Sequence, residues 1–192
     1  MRDLIYYIAT SLDGFIARED GSFADFPWDN EFGSHLIETF PETFPTHLRE
    51  GPVDRASNRE FDAVVMGRKT YEVGLREGIT SPYATLDQYV VSRSMDESPD
   101  AAITLISEDP AGRIQELKAS AGGSIWLCGG GQLASSLFQK GLVDRLIVKL
   151  NPIVLGSGIP MLGESTEDPR LTLTDSRAFP SGHLWLEYDV LR

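Results

Sequence analysis

Residues 63–71 read AVVMGRKTY, and residues 124–133 read SIWLCGGGQL. Each is a short apolar run, rich in branched side chains, that breaks at glycine and opens into a helical pattern. A strand that runs into a helix through glycine is the unit from which parallel sheets are wound. The same alternation recurs around these two stretches. Strand patterns fall at 4–9 (LIYYIA), 88–92 (QYVVS), 102–106 (AITLI), 145–155 (RLIVKLNPIVL), 171–179 (LTLTDSRAF) and 183–191 (HLWLEYDVL). Helical patterns fill the gaps. In DPAGRIQELKASAGG, Asp109 is placed to cap, Pro110 takes the first helical position, and glycines follow the end. In GQLASSLFQKG, Leu133, Ala134, Leu137 and Phe138 share one face, and Gly141 stops the helix.

Alternating strands and helices imply an α/β domain whose sheet is mostly parallel and covered by helices. After residue 142 only strand patterns remain, and FPSGH (179–183) is a turn signal, so the last two strands are expected to form an antiparallel hairpin. There is no internal repeat and no linker, so residues 1–192 are expected to form a single domain. The irregular stretch is 18–61, with one helical pattern (Phe32, Leu36, Ile37, Phe40) ended by Pro41. Long segments of this kind inside compact domains commonly serve as lids or substrate-binding elements.

The formal charge is −12, which argues against nucleic acid or an anionic membrane surface as a partner. Cys128 is the single cysteine, so an intrachain disulfide is impossible and a reducing cytoplasm is expected. One cysteine and three scattered histidines (His35, His47, His183) do not assemble a cysteine-based zinc site, and no metal is expected. The first apolar run is too short for a signal peptide, and no stretch reaches membrane-spanning length.

Against this acidic background the bases of GRKTY stand out. At a strand-to-helix turn the free N–H groups and the helix dipole favour an anion, and Arg68 and Thr70 add donors matched to phosphate oxygens. The glycines of CGGGQL allow a backbone to approach a pyrophosphate closely, although a tight turn explains them equally well. They are not the GxGxxG dinucleotide fingerprint, which follows a first strand. YVVSRS closes a third strand with Ser92, Arg93 and Ser94. Ligands of open α/β sheets bind outside the carboxyl ends of the strands, so the three ends together read as one nucleotide site. In IATSLDGFIA, Asp13 reads as a turn former, with Ile16 and Ala17 after the turn available to a flat ring.

SLDGFIA, VVMGRKTYE, VVSRS and CGGGQLASSLFQKGLVDRLIVKLNPIVLGSGIPM occur in an order and spacing that resembles the dihydrofolate reductase-like superfamily. The resemblance is to the branch holding the reductase domain of riboflavin-biosynthesis deaminase–reductases and related small reductases, and it spans most of 4–163. It implies an eight-stranded, mostly parallel sheet with helices on both faces, an NADPH site and a hydride-transfer activity. By position it implies that Ala9, Ile16 and Ala17 lie near the nicotinamide. Gly67, Arg68, Lys69 and Thr70, with Ser92 and Arg93, would hold the 2′-phosphate end, and Gly129, Gly130, Gly131, Gln132 and Leu133 the pyrophosphate. Two departures are visible. Folate reductases carry a carboxylate about five residues after a PW resembling Pro27-Trp28, where this chain has Gly33, which argues against folate as substrate. The zinc deaminase signature is absent.

The expected activity is NADPH-dependent reduction of a small heterocyclic or carbonyl substrate. Glu31 or Asp29, among Phe26, Trp28 and Phe32, is the candidate proton donor or substrate-orienting acid, since partial burial would raise a carboxyl pKa. Two other readings stay open: reduction of the ribosylamino-pyrimidine of riboflavin synthesis, and nucleotide binding without turnover. The terminal strands are more apolar than one exposed edge tolerates, and relatives of the riboflavin branch pair, so a homodimer is expected.

Overall fold

The computed structural model describes residues 1–49, 54–163 and 168–191. Its strands are β1 (Leu4–Thr10), β2 (Phe15–Ala17), β3 (Phe61–Gly67), β4 (Asp87–Val91), β5 (Ile103–Ile106), β6 (Ser124–Gly129), β7 (Arg145–Leu150), β8 (Ile159–Pro160), β9 (Arg170–Ala178) and β10 (Leu184–Leu191). The helices are α1 (Asn30–Thr39), α2 (Arg68–Arg76), α3 (Pro110–Ala119) and α4 (Gly131–Gln139). Eight strands share one sheet in the order β5-β4-β3-β6-β1-β7-β10-β9, and β2 pairs with β8 apart from it. The chain divides into two compact units, Met1–Leu4 with Leu36–Gly129, and Ile5–His35 with Gly130–Arg192.

In the first unit β3 pairs in parallel with both β4 and β6, and β4 with β5. Ala63, Val64, Val65 and Met66 are buried in succession, so β3 has no wet face, as a parallel strand covered on both sides requires. The turns work as the sequence implies. Asp109 accepts from the Gly112 N–H at 3.1 Å and Pro110 opens α3. The irregular segment, of which 50–53 lie outside the described residues, contains single turns of 3₁₀ helix at Pro41–Thr43, Thr46–Leu48 and Arg55–Ser57. It is anchored by Glu42. That side chain is 1% exposed, yet its carboxylate accepts from the backbone N–H of Arg59 (3.2 Å), Glu60 (2.8 Å) and Phe61 (2.8 Å). A buried charge survives only with such a complement of donors, and here it fixes where β3 begins.

In the second unit β1 pairs in parallel with β7, and β10 lies antiparallel between β7 and β9. The terminal hairpin is therefore present, turning through residues 179–183. The apolar run 145–155 is shorter as a strand than its pattern suggests. β7 stops at Leu150, where Asn151 donates its side-chain amide to the carbonyls of Thr10 (3.2 Å) and Lys149 (3.1 Å), and Pro152 has no N–H to continue a ladder. β2 and β8, of three and two residues, carry too little pattern to be recognised beforehand.

Candidate functional site

The first unit brings three strand ends side by side. Gly67 is opposite Val91 in the β3–β4 register, and Met66 is opposite Gly129 across β3–β6. Arg68 and Lys69 thus start α2 next to the turn that follows β4. No side chain caps α2, so its first N–H groups point outward with the positive end of its dipole. Arg68 reaches across to β4's end and donates Nη1–H to Ser94 Oγ at 2.9 Å, while its Nε is 3.5 Å from Glu72 one turn on. Ser92 is buried, and its Oγ accepts from the N–H groups of Ser94 (3.3 Å) and Met95 (3.0 Å). It shapes the turn, while Ser94, visible in the sequence only as the last letter of SRS, holds the guanidinium. Arg93 and Lys69 are exposed and Thr70 is half-buried. Gly129 has φ 131°, a conformation that a Cβ would strain.

The second unit explains the other glycines. Gly130 caps α4 without a side chain to offer, leaving that helix start uncapped too. A Cβ on Gly131 would overlap the Pro160 carbonyl oxygen and stand 3.2 Å from that of Met161, so only glycine admits the 160–163 segment there. Gly163 donates its N–H to the Gly131 carbonyl at 3.3 Å, and Ser135 Oγ donates to the Gly163 carbonyl at 3.2 Å. Gln132 is exposed and Leu133 half-buried. Ala17 pairs with Ile159 and Phe15 with Pro160, which seats Ile16 and Ala17 on the segment that packs against Gly131. Ala9 lies opposite Lys149 in the β1–β7 register.

Asp13 does more than form its turn. Its carboxylate accepts from Ser11 Oγ (2.7 Å) and from the N–H groups of Leu155 (3.0 Å) and Gly156 (2.7 Å), 143 residues away at the farthest. The Ser11 hydroxyl first, and then the two backbone donors, hold its pKa down at about 2. The carboxylate thus clamps SLDG to LGSG.

The candidate acids lie at the start of α1. Asp29 is half-buried and its Oδ1 accepts from the Phe32 N–H at 2.9 Å, an N-cap. Glu31 is not in the aromatic setting expected of it: its side chain is 57% exposed, with Oε1 3.7 Å from Arg177. Phe32, not Glu31, takes the buried place, edge-on to Phe179 (5.0 Å) and stacked on His183 (4.5 Å). Sequence reasoning missed His183. It is 1% exposed, with Nε2 3.1 Å from the Pro27 carbonyl and Nδ1 2.9 Å from Ser181 Oγ. A carbonyl only accepts, so Nε2 carries the hydrogen. Among the described residues no group of histidine, cysteine and carboxylate side chains is arranged to hold a metal ion.

The profile of the RibD C-terminal domain matches residues 2–185. The chain belongs to that family. It is 33% identical over 178 residues to the uncharacterised Bacillus subtilis protein YwjB, across 93% of this chain and 92% of that one. A Shewanella sp. PV-4 structure attributed to riboflavin biosynthesis superposes with TM-score 0.73 at 25% identity, covering both chains completely. Enterococcus faecalis dihydrofolate reductase, solved with NADP(H), gives TM-score 0.64 at 15% identity over 99% of this chain and 97% of that one, a likeness of fold. This RibD C-terminal domain therefore has the dihydrofolate reductase-like fold.

Proposed function

We propose that this RibD C-terminal domain is an NADPH-dependent reductase of a small heterocyclic or carbonyl substrate. The observation that carries the reading is Arg68, held by Ser94 where β3 and β4 end together, at the uncapped start of α2. In a chain of charge −12, a guanidinium fixed at a helix start is a site for a phosphate. Arg68, Lys69, Thr70, Ser92 and Arg93 would meet the 2′-phosphate, Gly129 to Leu133 the pyrophosphate, and Ala9, Ile16 and Ala17 the nicotinamide. NADPH would supply the hydride; the protein orients the acceptor and keeps water away. Asp29 or Glu31 would deliver or hold the accompanying proton.

The family match favours a second, narrower reading, reduction of the ribosylamino-pyrimidine of riboflavin synthesis. Assay of NADPH oxidation with pyrimidine and pterin substrates separates the two, and tight NADPH binding with no turnover on any of them would leave a nucleotide-binding protein. Equal affinity for NADPH and NADH, titrated at low salt, would overturn the cofactor assignment. We further propose a cytoplasmic homodimer. No helix among the described residues is long and apolar enough to cross a membrane. Leu171 and Leu173 are exposed on β9, the strand at the edge of the sheet, as is Leu191 at the end of the adjoining β10, and a second copy would cover them.

A further inference from the structure

One of the four lysines in this acidic chain lies on an interior strand of the sheet. Lys149 is on β7, in register with Ala9 of β1 on one side and with Trp185 of β10 on the other. Register partners point to the same face, and residues two apart on a strand share it, so Tyr7, Ala9, Lys149 and Trp185 form one patch. The contacts agree. The Lys149 ammonium stands 3.9 Å from the centre of the Tyr7 ring, and the Tyr7 ring lies 5.6 Å from that of Trp185. Both aromatic residues are 1% exposed, and the indole N–H of Trp185 is fixed by Glu187 Oε1 at 2.8 Å. His35 packs edge-on against the same indole at 4.9 Å. The ammonium is seated on a braced aromatic stack. Beside it the sheet is open. Every other residue of β1 is buried, whereas Ala9 is half-exposed, as is Lys149. Ala9 is next to the carboxyl end of its strand, where α/β sheets bind their ligands. Holding a lysine there sacrifices part of the hydration of its charge, which the Tyr7 face offsets in part.

We infer that Lys149 is the group that polarises the hydride acceptor, an inference that rests on the reductase reading and on Ala9 as a neighbour of the nicotinamide. Lys149 stands across the β1–β7 ladder from Ala9, so a carbonyl or imine held against that ring comes within reach of its ammonium. NADPH supplies the hydride. As the hydride bonds to the carbon of a C=O or C=N group, the π electron pair moves onto oxygen or nitrogen. The oxidised product is NADP+, and the oxygen or nitrogen finally takes a proton from Asp29 or Glu31. The negative charge that builds up in between needs a partner. A cationic N–H donor already in place stabilises that charge more than it stabilises the neutral acceptor. A lysine is charged at neutral pH by default, whereas a carboxyl group keeps a proton there only when burial raises its pKa. The neighbouring charges are engaged with one another or with ring nitrogens. Glu187 accepts from Arg145 Nη2 at 2.7 Å as well as from Trp185, and Arg177 Nη1 donates to His35 Nδ1 at 3.3 Å. Lys149 is the cation in register with Ala9.

The test begins without a substrate. The intact protein is acetylated with an amine-specific reagent, and Lys69, Lys118, Lys140 and Lys149 are mapped by mass spectrometry. The labelling is run on the free protein, with saturating NADPH, and with adenosine 2′,5′-bisphosphate, which has the phosphate end of the cofactor and no nicotinamide. Lys149 should be acetylated more slowly with NADPH and at the unliganded rate with the bisphosphate. Lys69, at the start of α2, should slow with both, and the exposed Lys140 with neither. The second measurement is NADPH oxidation with phenanthrenequinone as a C=O acceptor and 7,8-dihydropterin as a C=N acceptor. Lys149→Met keeps an unbranched side chain on Tyr7 and removes the charge. It should lower kcat about 10²–10³-fold, with NADPH affinity and melting temperature unchanged. Lys149→Arg should restore part of the turnover, which a packing role would not require. If NADPH shields Lys69 but not Lys149, the assignment is overturned and the cofactor reading stands. Turnover by Lys149→Met close to that of wild type also overturns it and leaves the reductase intact. Wild type that binds NADPH and reduces neither acceptor leaves Lys149 nothing to polarise, which overturns it as well. If wild type binds no NADPH, the reductase reading fails and this assignment falls with it.

Discussion

Arg68 sets the sharpest expectation at the scale of single residues. NADPH and NADH differ by the 2′-phosphate, and neither β3 nor β4 ends in the carboxylate that an NADH-selective site places on the ribose hydroxyls. A charged hydrogen bond contributes roughly 1.5–3 kcal/mol, or about 10- to 150-fold in affinity. Arg68→Ala should weaken NADPH by that factor and leave NADH nearly unchanged in a titration at low salt. Added salt should narrow the wild-type preference. Asp13 gives a prediction of another kind. Its folded pKa, about 2, lies below the ordinary aspartate value of 3.8, so its contribution to stability is complete above the unfolded pKa and is lost as pH falls through the folded one. The melting-temperature gap between wild type and Asp13→Asn should be widest above about pH 4 and close toward pH 2. A gap that stays constant across that range would show the carboxylate's charge to be irrelevant. For the proton donor, Asp29→Asn and Glu31→Gln are to be assayed separately once a substrate turns over. Loss of a general acid lowers turnover about 10²–10⁴-fold, with NADPH affinity intact.

At the scale of elements, the three glycines of CGGGQL serve three different ends: a positive φ at 129, a helix cap at 130 and a close carbonyl approach at 131. Gly131→Ala should push α4 away from the Pro160 carbonyl and lower the melting temperature, because backbone cannot yield as a side chain can. Gly130→Val should instead remove NADPH binding and spare the fold. If Gly130→Val binds NADPH as wild type does, the glycine run is a turn and nothing more. The strands and helices themselves were legible, since long periodic runs and caps such as Asp109-Pro110 are written locally. What could not be read is whatever depends on distant partners. Glu42 looks like any surface acid until Arg59, Glu60 and Phe61 surround it, Asp13 looks like a turn until Leu155 arrives, and Gly33 reads as a missing carboxylate until Trp28 is found on top of it. Nothing in the residues around Pro27 announces His183, which lies 156 positions away.

On the scale of the whole molecule, the exposed leucines of β9 and β10 predict the assembly. Leu173 pairs with Tyr188 and Leu171 with Val190 across the ladder, making an apolar strip on the strand at the sheet's edge. Sedimentation at micromolar concentration should show a dimer, and Leu171→Lys with Leu173→Lys should dissociate it. A species near 21.2 kDa alone, in the wild type, would refute the pairing. The tie between His183 and Pro27 also has a bearing on synthesis. A ribosome adding about 5–20 residues per second reaches His183 about 8–30 s after Pro27, the two being 156 positions apart. For that interval Phe32 has no His183 to stack on, and β1 waits nearly as long for β7. The nascent chain therefore spends many seconds with apolar side chains from its opening segment still lacking their partners.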